Sequence, residues 1–178
     1  FGDDFLLPTL LALLPDGLIV ADLGCGTGAA MEQLAPASGH VIGVDSSPAM
    51  LTLARQRLAG VENAEVRQGS LSALPIDDAG VDVALIMLVL HHVADLAAVF
   101  AEVARVLKPG GRLVVLDMLA HERRDFQKSM GHRHPGFSEA AVAACCADAG
   151  LTLRRYRPLP DSPQALGPGL FVAVISAA

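Results

Sequence analysis

A glycine-rich turn between an apolar run and a helix-like stretch is the feature that most constrains the fold of this chain. The apolar run covers residues 18–21, the segment DLGCGTGA follows at residues 22–29, and a helical pattern continues to Leu34. A strand that turns on glycines into a helix presents backbone N–H groups at the helix N-terminus. The missing Cβ atoms also let a ligand lie against the backbone. The segment therefore predicts a ligand-binding strand–turn–helix unit.

An acidic residue closes the next predicted strand. The run from His40 to Val44 ends in Asp45, about twenty residues after the turn, where an acid can accept both hydroxyls of a ribose. The turn and this acid together predict an adenosine-containing ligand. The spacing Gly24-x-Gly26-x-x-Ala29 also satisfies the dinucleotide pattern, so on spacing alone nicotinamide and flavin cofactors remain open.

A second acid, Asp22, favours a different cofactor. A carboxylate two residues before the first glycine would repel a pyrophosphate, yet it could accept hydrogen bonds from the ammonium group of S-adenosylmethionine (SAM). With Asp45 and the segment LKPGG at residues 107–111, the segment DLGCGTG at residues 22–28 resembles the class I SAM-dependent methyltransferases. The run GVDSSPAML at residues 43–51 is similar to their small-molecule branch, which contains the ubiquinone/menaquinone C-methyltransferases.

This resemblance implies roles for individual residues. Asp22 and the backbone of Gly24 to Gly26 would hold the methionine part of SAM, Asp45 would take the ribose, and Met50 would pack on the adenine. Ser70 stands where the family usually has an Asp that meets the adenine amino group. The expected cofactor-binding residues are Asp22, Gly24, Cys25, Gly26, Asp45, Ser46, Met50, Gly69, Ser70, Leu71 and Met87.

Helix-start and helix-stop signals place the helices. Ser47 and Pro48 begin a helix that runs to about Leu58, Asp95 caps a second helix, and Ser138 begins a third. The pattern predicts a further helix over residues 5–14, and residues 108–111 are expected to end the helix that Asp95 caps.

Strands are predicted between these helices, which gives an alternating α/β order. Beyond the first two, the predicted strands cover residues 64–68, 81–87, 112–117, 151–159 and 170–176. Such alternation predicts an α/β, Rossmann-like, doubly wound sheet of seven mostly parallel strands. The short link between the last two strands favours an antiparallel strand at the sheet edge.

Composition narrows the class of protein. The chain has 178 residues, 52% of them apolar, and we expect one domain over residues 1–178. Its longest apolar run, Val83 to Leu90, is too short to span a bilayer. A net charge of −6 without a dense basic block gives no support for nucleic-acid binding by this segment itself. Three cysteines make no disulfide framework, so we expect a cytoplasmic protein.

Two further features of the sequence bear on partners. The adjacent Cys145 and Cys146 could suggest arsenic or another soft metal, but their helical placement favours a core position. The segment from Asp117 to Ser138 and the tail GPGLFV at residues 167–172 are similar to the methyltransferase half of bacterial proteins that carry an arsenic-repressor-type winged-helix domain in front. Because the chain opens on Phe1 rather than Met, we expect an N-terminal segment ahead of it.

A group of polar residues follows the fourth and fifth predicted strands. In open α/β sheets ligands lie outside the carboxyl ends of the strands. An imidazole there could take a proton from an acceptor hydroxyl or amine. Two imidazoles at i and i+2 with another histidine and a carboxylate could also bind zinc, but the spacing matches no compact zinc motif, so we expect no metal. The candidate acceptor-pocket residues are His92, Asp117, His121, His132 and His134.

The sequence thus favours a SAM-dependent methyltransferase that acts on a small-molecule acceptor by in-line displacement. Two alternatives remain open at this point. One is a non-catalytic SAM- or ligand-sensing module of a transcription regulator, and the other is a nucleotide-dependent oxidoreductase on a similar sheet.

Overall fold

A computed structural model describes residues 15–122, 131–160 and 167–178 of the chain, and the helix predicted over residues 5–14 lies outside them. Short 3₁₀ turns at Ala35–Ala37 and Leu90–His92 supplement the regular elements. In chain order, the strands and helices of the described part are β1 (Ile19–Leu23), α1 (Ala29–Leu34), β2 (His40–Asp45), α2 (Pro48–Arg57), β3 (Ala64–Gln68), β4 (Val81–Met87), α3 (Leu96–Val106), β5 (Leu107–Met118), α4 (Glu139–Asp148), β6 (Thr152–Pro158) and β7 (Leu170–Ser176).

The strands form one seven-stranded sheet in the order β3-β2-β1-β4-β5-β7-β6. Strands β1 to β5 pair in parallel, whereas β7 lies between β5 and β6 and is antiparallel to both. The predicted Rossmann-like sheet with antiparallel pairing at one edge is confirmed. The strand order reverses between β1 and β4, so the crevice expected to bind a ligand lies at the carboxyl ends of these two strands.

Side-chain caps begin three of the helices as the sequence predicts. The Ser47 hydroxyl accepts from the Met50 amide at 3.4 Å, with Pro48 in the first turn. The Asp95 carboxylate accepts from Ala98 N at 3.0 Å, and the Ser138 hydroxyl accepts from Ala141 N at 3.2 Å. Each cap satisfies a backbone donor that has no partner within the helix.

One predicted boundary is wrong. Residues 108–111 were expected to separate the helix capped by Asp95 from a strand that begins at Arg112, but β5 already begins at Leu107. Leu107 pairs with Val81, and the register then shifts so that Val83 pairs with Arg112. Because this irregularity lies inside the strand, the glycines bend the strand instead of ending it.

Two apolar clusters support the sheet. The larger cluster joins β1, β4, β5 and β7 with α3 and α4, and it includes Phe100, Val142, Cys146 and Phe171. In the smaller cluster Cys25 and Met31 pack beneath the glycine turn. A Cβ atom on Gly43 of β2 would lie 2.3 Å from the Met31 sulfur, so a larger residue there would force the Met31 side chain of α1 to move.

Within the described ranges, no helix is both long and apolar enough to cross a membrane.

Candidate active site

The glycine turn is held against β2 by its own backbone. The amides of Gly24 and Cys25 both donate to the Val44 carbonyl, at 2.7 and 3.0 Å. Gly24 has a φ of 85°, and a Cβ atom there would lie 2.5 Å from Val89 Cγ2. Gly26 has a φ of 52°, and a Cβ atom there would meet nothing within 4 Å. Gly24 is therefore a packing requirement, whereas the space at Gly26 is open to a ligand.

Asp45 ties the turn to the end of β2. Its Oδ2 atom accepts from the Gly26 amide at 2.9 Å, and its Oδ1 atom accepts from the Ser47 amide at 2.8 Å. A carboxylate oxygen can accept a second hydrogen bond, so both oxygens retain capacity for ribose hydroxyls. The same side chain thus shapes the turn and offers the paired acceptors that an adenosine ligand needs.

Asp22 is buried at the end of β1, with 2% of the residue exposed. Burial, followed by repulsion from Asp45, raises the pKa of its carboxyl to about 7. A carboxylate in this position is costly until a cation neutralises it. The arrangement suits the ammonium group of an amino acid, and it opposes an anionic pyrophosphate.

A cavity of about 520 Å³ opens beside these residues at the carboxyl end of the sheet. Six of the predicted cofactor residues line it, and His92 and Asp95 lie among the lining residues that follow β4. The six are Gly24, Asp45, Ser46, Gly69, Ser70 and Leu71. Ser70 already pairs with Ser72, with 2.8 Å between the two hydroxyl oxygens.

The other cofactor candidates are not among the residues that line this cavity. Met50 is on α2 and is 41% exposed, so its side chain is accessible for packing on a flat ligand. Met87 is the last residue of β4 and is half-buried. Cys25 is buried beneath the turn, and burial raises the pKa of its thiol to about 12, which leaves the thiol protonated and space-filling.

A second group of residues surrounds Asp117 at the end of β5. The Asp117 carboxylate is fully buried and accepts from the amides of Leu90 and Met118, at 3.0 and 2.7 Å. Its Oδ1 atom also lies 2.7 Å from Nδ1 of His91. Because an ionised carboxylate only accepts, Nδ1 of His91 carries the proton, and in the neutral ring Nε2 holds the lone pair.

The chain returns to this group through residues 131–137. The amides of Arg133 and His134 donate to the His91 carbonyl, at 2.8 and 3.1 Å. A bridge between Leu119 and Phe137 fixes the other end of the segment. These backbone contacts bring His132 next to His91 although the two are distant in sequence, and His132 is 7% exposed.

Three imidazole rings converge here. Ring centroids lie 4.2 Å apart for His91 and His92, 4.3 Å for His91 and His132, and 5.0 Å for His92 and His132. Partial desolvation of its ring and the neighbouring His91 ring lower the pKa of His92, although the residue as a whole is exposed. Burial, followed by the His91, His92 and His121 rings, lowers the pKa of His132. Both directions favour neutral imidazoles, which can accept protons or bind metal ions.

The predicted acceptor-pocket residues therefore occupy different positions. Asp117, His92 and His132 belong to this group, and His121 is close enough to affect the pKa of His132. The Nε2 atom of His134 instead lies 2.9 Å from the Val93 carbonyl, where the ring supports the loop.

The list of candidate acceptor-pocket residues omits His91, although it is one of the five histidines at or after the ends of β4 and β5 and is the ring that Asp117 contacts directly. A signal was present, because two adjacent histidines follow a buried strand whose neighbour ends in an acid. The acid was identified, but the choice between the two histidines depends on the 3₁₀ turn at Leu90–His92, which buries His91 and exposes His92.

Comparison with known proteins agrees with this geometry. The family model for the methyltransferase domain matches residues 21–115, which include the end of β1, the glycine turn, Asp45 and most of β5. The chain belongs to this methyltransferase family, and its sheet and glycine turn are those of the class I SAM-dependent methyltransferases. Geranyl diphosphate methyltransferase, solved in complex with SAM, has a TM-score of 0.80 to this chain at 20% identity.

The chain is also similar to parts of individual curated proteins. It is 48% identical over 153 residues to an uncharacterised 37.1 kDa protein in transposon Tn4556 of Streptomyces fradiae, covering 78% of this chain and 44% of that protein. It is 40% identical over 105 residues to the demethylmenaquinone methyltransferase of Tropheryma whipplei, covering 59% of this chain and 43% of that enzyme. The chain thus spans less than half the length of these curated relatives.

One solved structure shows the same fold. The geranyl diphosphate C-methyltransferase of Streptomyces coelicolor, crystallised with Mg²⁺, geranyl diphosphate and S-adenosylhomocysteine, has a TM-score of 0.82 to this chain. The alignment covers 99% of this chain and 81% of that one at 19% identity.

Proposed function

We propose that this chain transfers a methyl group from SAM to a small-molecule acceptor. The observation that carries the proposal is one cavity lined on one side by the turn, Asp45 and residues 69–72, and on the other by His92. A cofactor held by the first side would direct its reactive end towards the second. Bound SAM supplies an electrophilic methyl group, and the residues around it supply position, charge balance and exclusion of water.

Each residue has a defined part in this proposal. Asp22 would accept from the ammonium group of the cofactor, which compensates the unfavourable burial of its carboxylate. Asp45 would accept from the ribose hydroxyls while it keeps its bonds to Gly26 and Ser47. The open space at Gly26 would let the cofactor approach the backbone.

The imidazoles next to the cavity would face the acceptor. His92 lines the cavity and has a lowered pKa, so it would be neutral near pH 7 and able to take a proton from an acceptor hydroxyl or amine. Asp117 would hold the buried His91 ring behind it. We expect loss of His92 to reduce turnover more than cofactor affinity.

The cysteines of the chain do not favour an acceptor that is a soft metal or metalloid bound by protein thiols. Cys25 is buried beneath the turn, whereas Cys145 and Cys146 lie on α4. Burial raises the pKa of each of these thiols. Among the described residues, the metal-ligand grouping of three side chains consists of histidines only. An acceptor with an oxygen or nitrogen nucleophile fits the cavity better than one held by thiolates.

The test is transfer of a labelled methyl group from SAM to members of a panel of small hydroxyl-, amine- and carbon-nucleophile acceptors. We expect label in at least one acceptor with wild-type protein, and a rate at least tenfold lower with His92→Gln at unchanged SAM affinity. SAM binding without transfer to any acceptor would favour the sensing module, and absence of SAM binding would refute the proposal.

A further inference from the structure

We propose that His91, His92 and His132 form a binding site for one divalent transition-metal ion of the zinc type. One ring nitrogen from each histidine lies within 4.8 Å of the other two. Three imidazoles around a tetrahedral zinc ion, with Zn–N bonds of about 2.0–2.1 Å, have their nitrogens roughly 3.3 Å apart. Closing the present arrangement around an ion requires only small ring movements. This proposal departs from the sequence-based expectation of no metal.

The contact between Asp117 and His91 has the form of an outer-sphere metal interaction. Histidines that bind metals commonly donate their second ring N–H to a carboxylate, which fixes the tautomer and the ring orientation. Asp117 accepts from Nδ1 of His91 at 2.7 Å, so we assign Nε2 of His91 as the ligand atom. The Leu90 and Met118 amides hold the carboxylate itself, so the donor set is built into the ends of two strands.

The third ligand is positioned by the backbone as well. The Arg133 and His134 amides both donate to the His91 carbonyl, so the segment that carries His132 is attached to the residue that carries the first ligand. A binding site assembled from a 3₁₀ turn and a tied loop needs little ordering when the ion binds.

The donor chemistry selects the class of ion. Three neutral imidazoles suit zinc, cobalt, nickel or copper, whereas magnesium and calcium prefer oxygen ligands. Three protein ligands leave one tetrahedral position open, as in catalytic zinc sites. His92 borders the cavity next to the cofactor residues, so the open position would face the acceptor side.

This placement also suggests what the ion would bind. A small acceptor with a hydroxyl group could occupy the fourth position as its anion. Its proton would then be released to solvent, because His92 as a metal ligand would not take it. This use of the site rests on the proposed methyltransferase function, whereas the binding of the metal does not.

The experiment titrates Co²⁺, a spectroscopic substitute for zinc, into untagged protein freed of metal by a chelator. We expect one Co²⁺ per chain, with the visible absorption bands of a tetrahedral ion and no thiolate charge-transfer band. His92→Gln should weaken binding at least tenfold, and because His92 is exposed the variant should keep its fold. Asp117→Asn should weaken binding by about 10–100-fold.

His40→Gln is the matched control, since it removes a half-exposed imidazole that pairs with Glu65 at 3.2 Å far from the cluster. The metal site would be overturned if wild type and His92→Gln bind Co²⁺ with equal affinity, or if His40→Gln loses as much Co²⁺ affinity as His92→Gln. A thiolate charge-transfer band would also overturn it. S-adenosylhomocysteine titrations on the same samples separate the two proposals. If S-adenosylhomocysteine binds and Co²⁺ does not, the metal site alone is refuted. If Co²⁺ binds and S-adenosylhomocysteine does not, the proposed function alone is refuted.

Discussion

Replacement of Asp22 by asparagine should remove the free-energy cost that the ionised Asp22 carboxylate imposes on the ligand-free fold. The carboxyl of Asp22 has its pKa raised from 3.8 to about 7 by burial and by Asp45. A carboxyl raised in this way favours the folded state at low pH, and this contribution is lost as the pH rises through the folded pKa. At 1.36 kcal/mol per pKa unit, ionising Asp22 in the ligand-free fold costs about 4 kcal/mol by pH 8.

Urea unfolding of the ligand-free protein measures this cost. Between pH 8 and pH 5 the free energy of unfolding of the wild type should rise by about 3 kcal/mol relative to Asp22→Asn. At pH 8 the variant should be the more stable protein, because a neutral amide replaces a buried charge. If the free energy of unfolding changes with pH in the same way in both proteins, the claim that the fold buries the Asp22 carboxylate at a free-energy cost is refuted.

Ligand affinity should respond in the opposite direction. The ammonium group of S-adenosylhomocysteine needs the ionised carboxylate, so affinity should fall by about tenfold from pH 8 to pH 6. In Asp22→Asn the charge-assisted bond is lost, which at about 1.5–3 kcal/mol corresponds to roughly 10–150-fold weaker binding. A variant that gains stability but keeps wild-type affinity would show that Asp22 does not meet the ligand.

Three further substitutions, with Gly60→Val as a control, separate packing from binding. Asp45→Ala removes the ribose acceptors and should weaken S-adenosylhomocysteine binding by roughly 5–150-fold, or about 1–3 kcal/mol, in calorimetry, and unchanged affinity would contradict the role. Gly26→Val should abolish binding while the domain stays folded by circular dichroism. The control is Gly60→Val, at a φ of 89° with equally open space, which should cost similar stability but bind normally. Gly24→Ala should lower the free energy of unfolding by about 1–3 kcal/mol, because its Cβ would lie 2.5 Å from Val89 Cγ2, and a wild-type melting curve would contradict this.

The cofactor side of the site could be predicted because its signals are local. The turn and Asp45 are separated by one helix and one strand, so their spacing specifies how they meet. In the structure the Gly26 amide donates to the Asp45 carboxylate at 2.9 Å, so the turn and the acid lie together. Hydrophobic periodicity and capping residues likewise predicted most strand and helix positions, since these depend on neighbours a few residues away.

The histidine cluster could not be predicted in the same way. His132 meets His91 only because the segment after β5 folds back and donates two amides to the His91 carbonyl. No periodic pattern encodes that return. The start of β5 was missed for a related reason, since the pairing of Leu107 with Val81 is a long-range contact that overrides the local preference of glycine and proline for a turn.

Calorimetric titration of SAM and of NADH into the wild-type protein tests the central claim most directly. We predict one SAM per chain, no heat of binding for NADH, and weaker SAM binding in Asp45→Ala. Binding of NADH, or wild-type SAM affinity in Asp45→Ala, would contradict the assignment of the cavity beside the glycine turn as a SAM site.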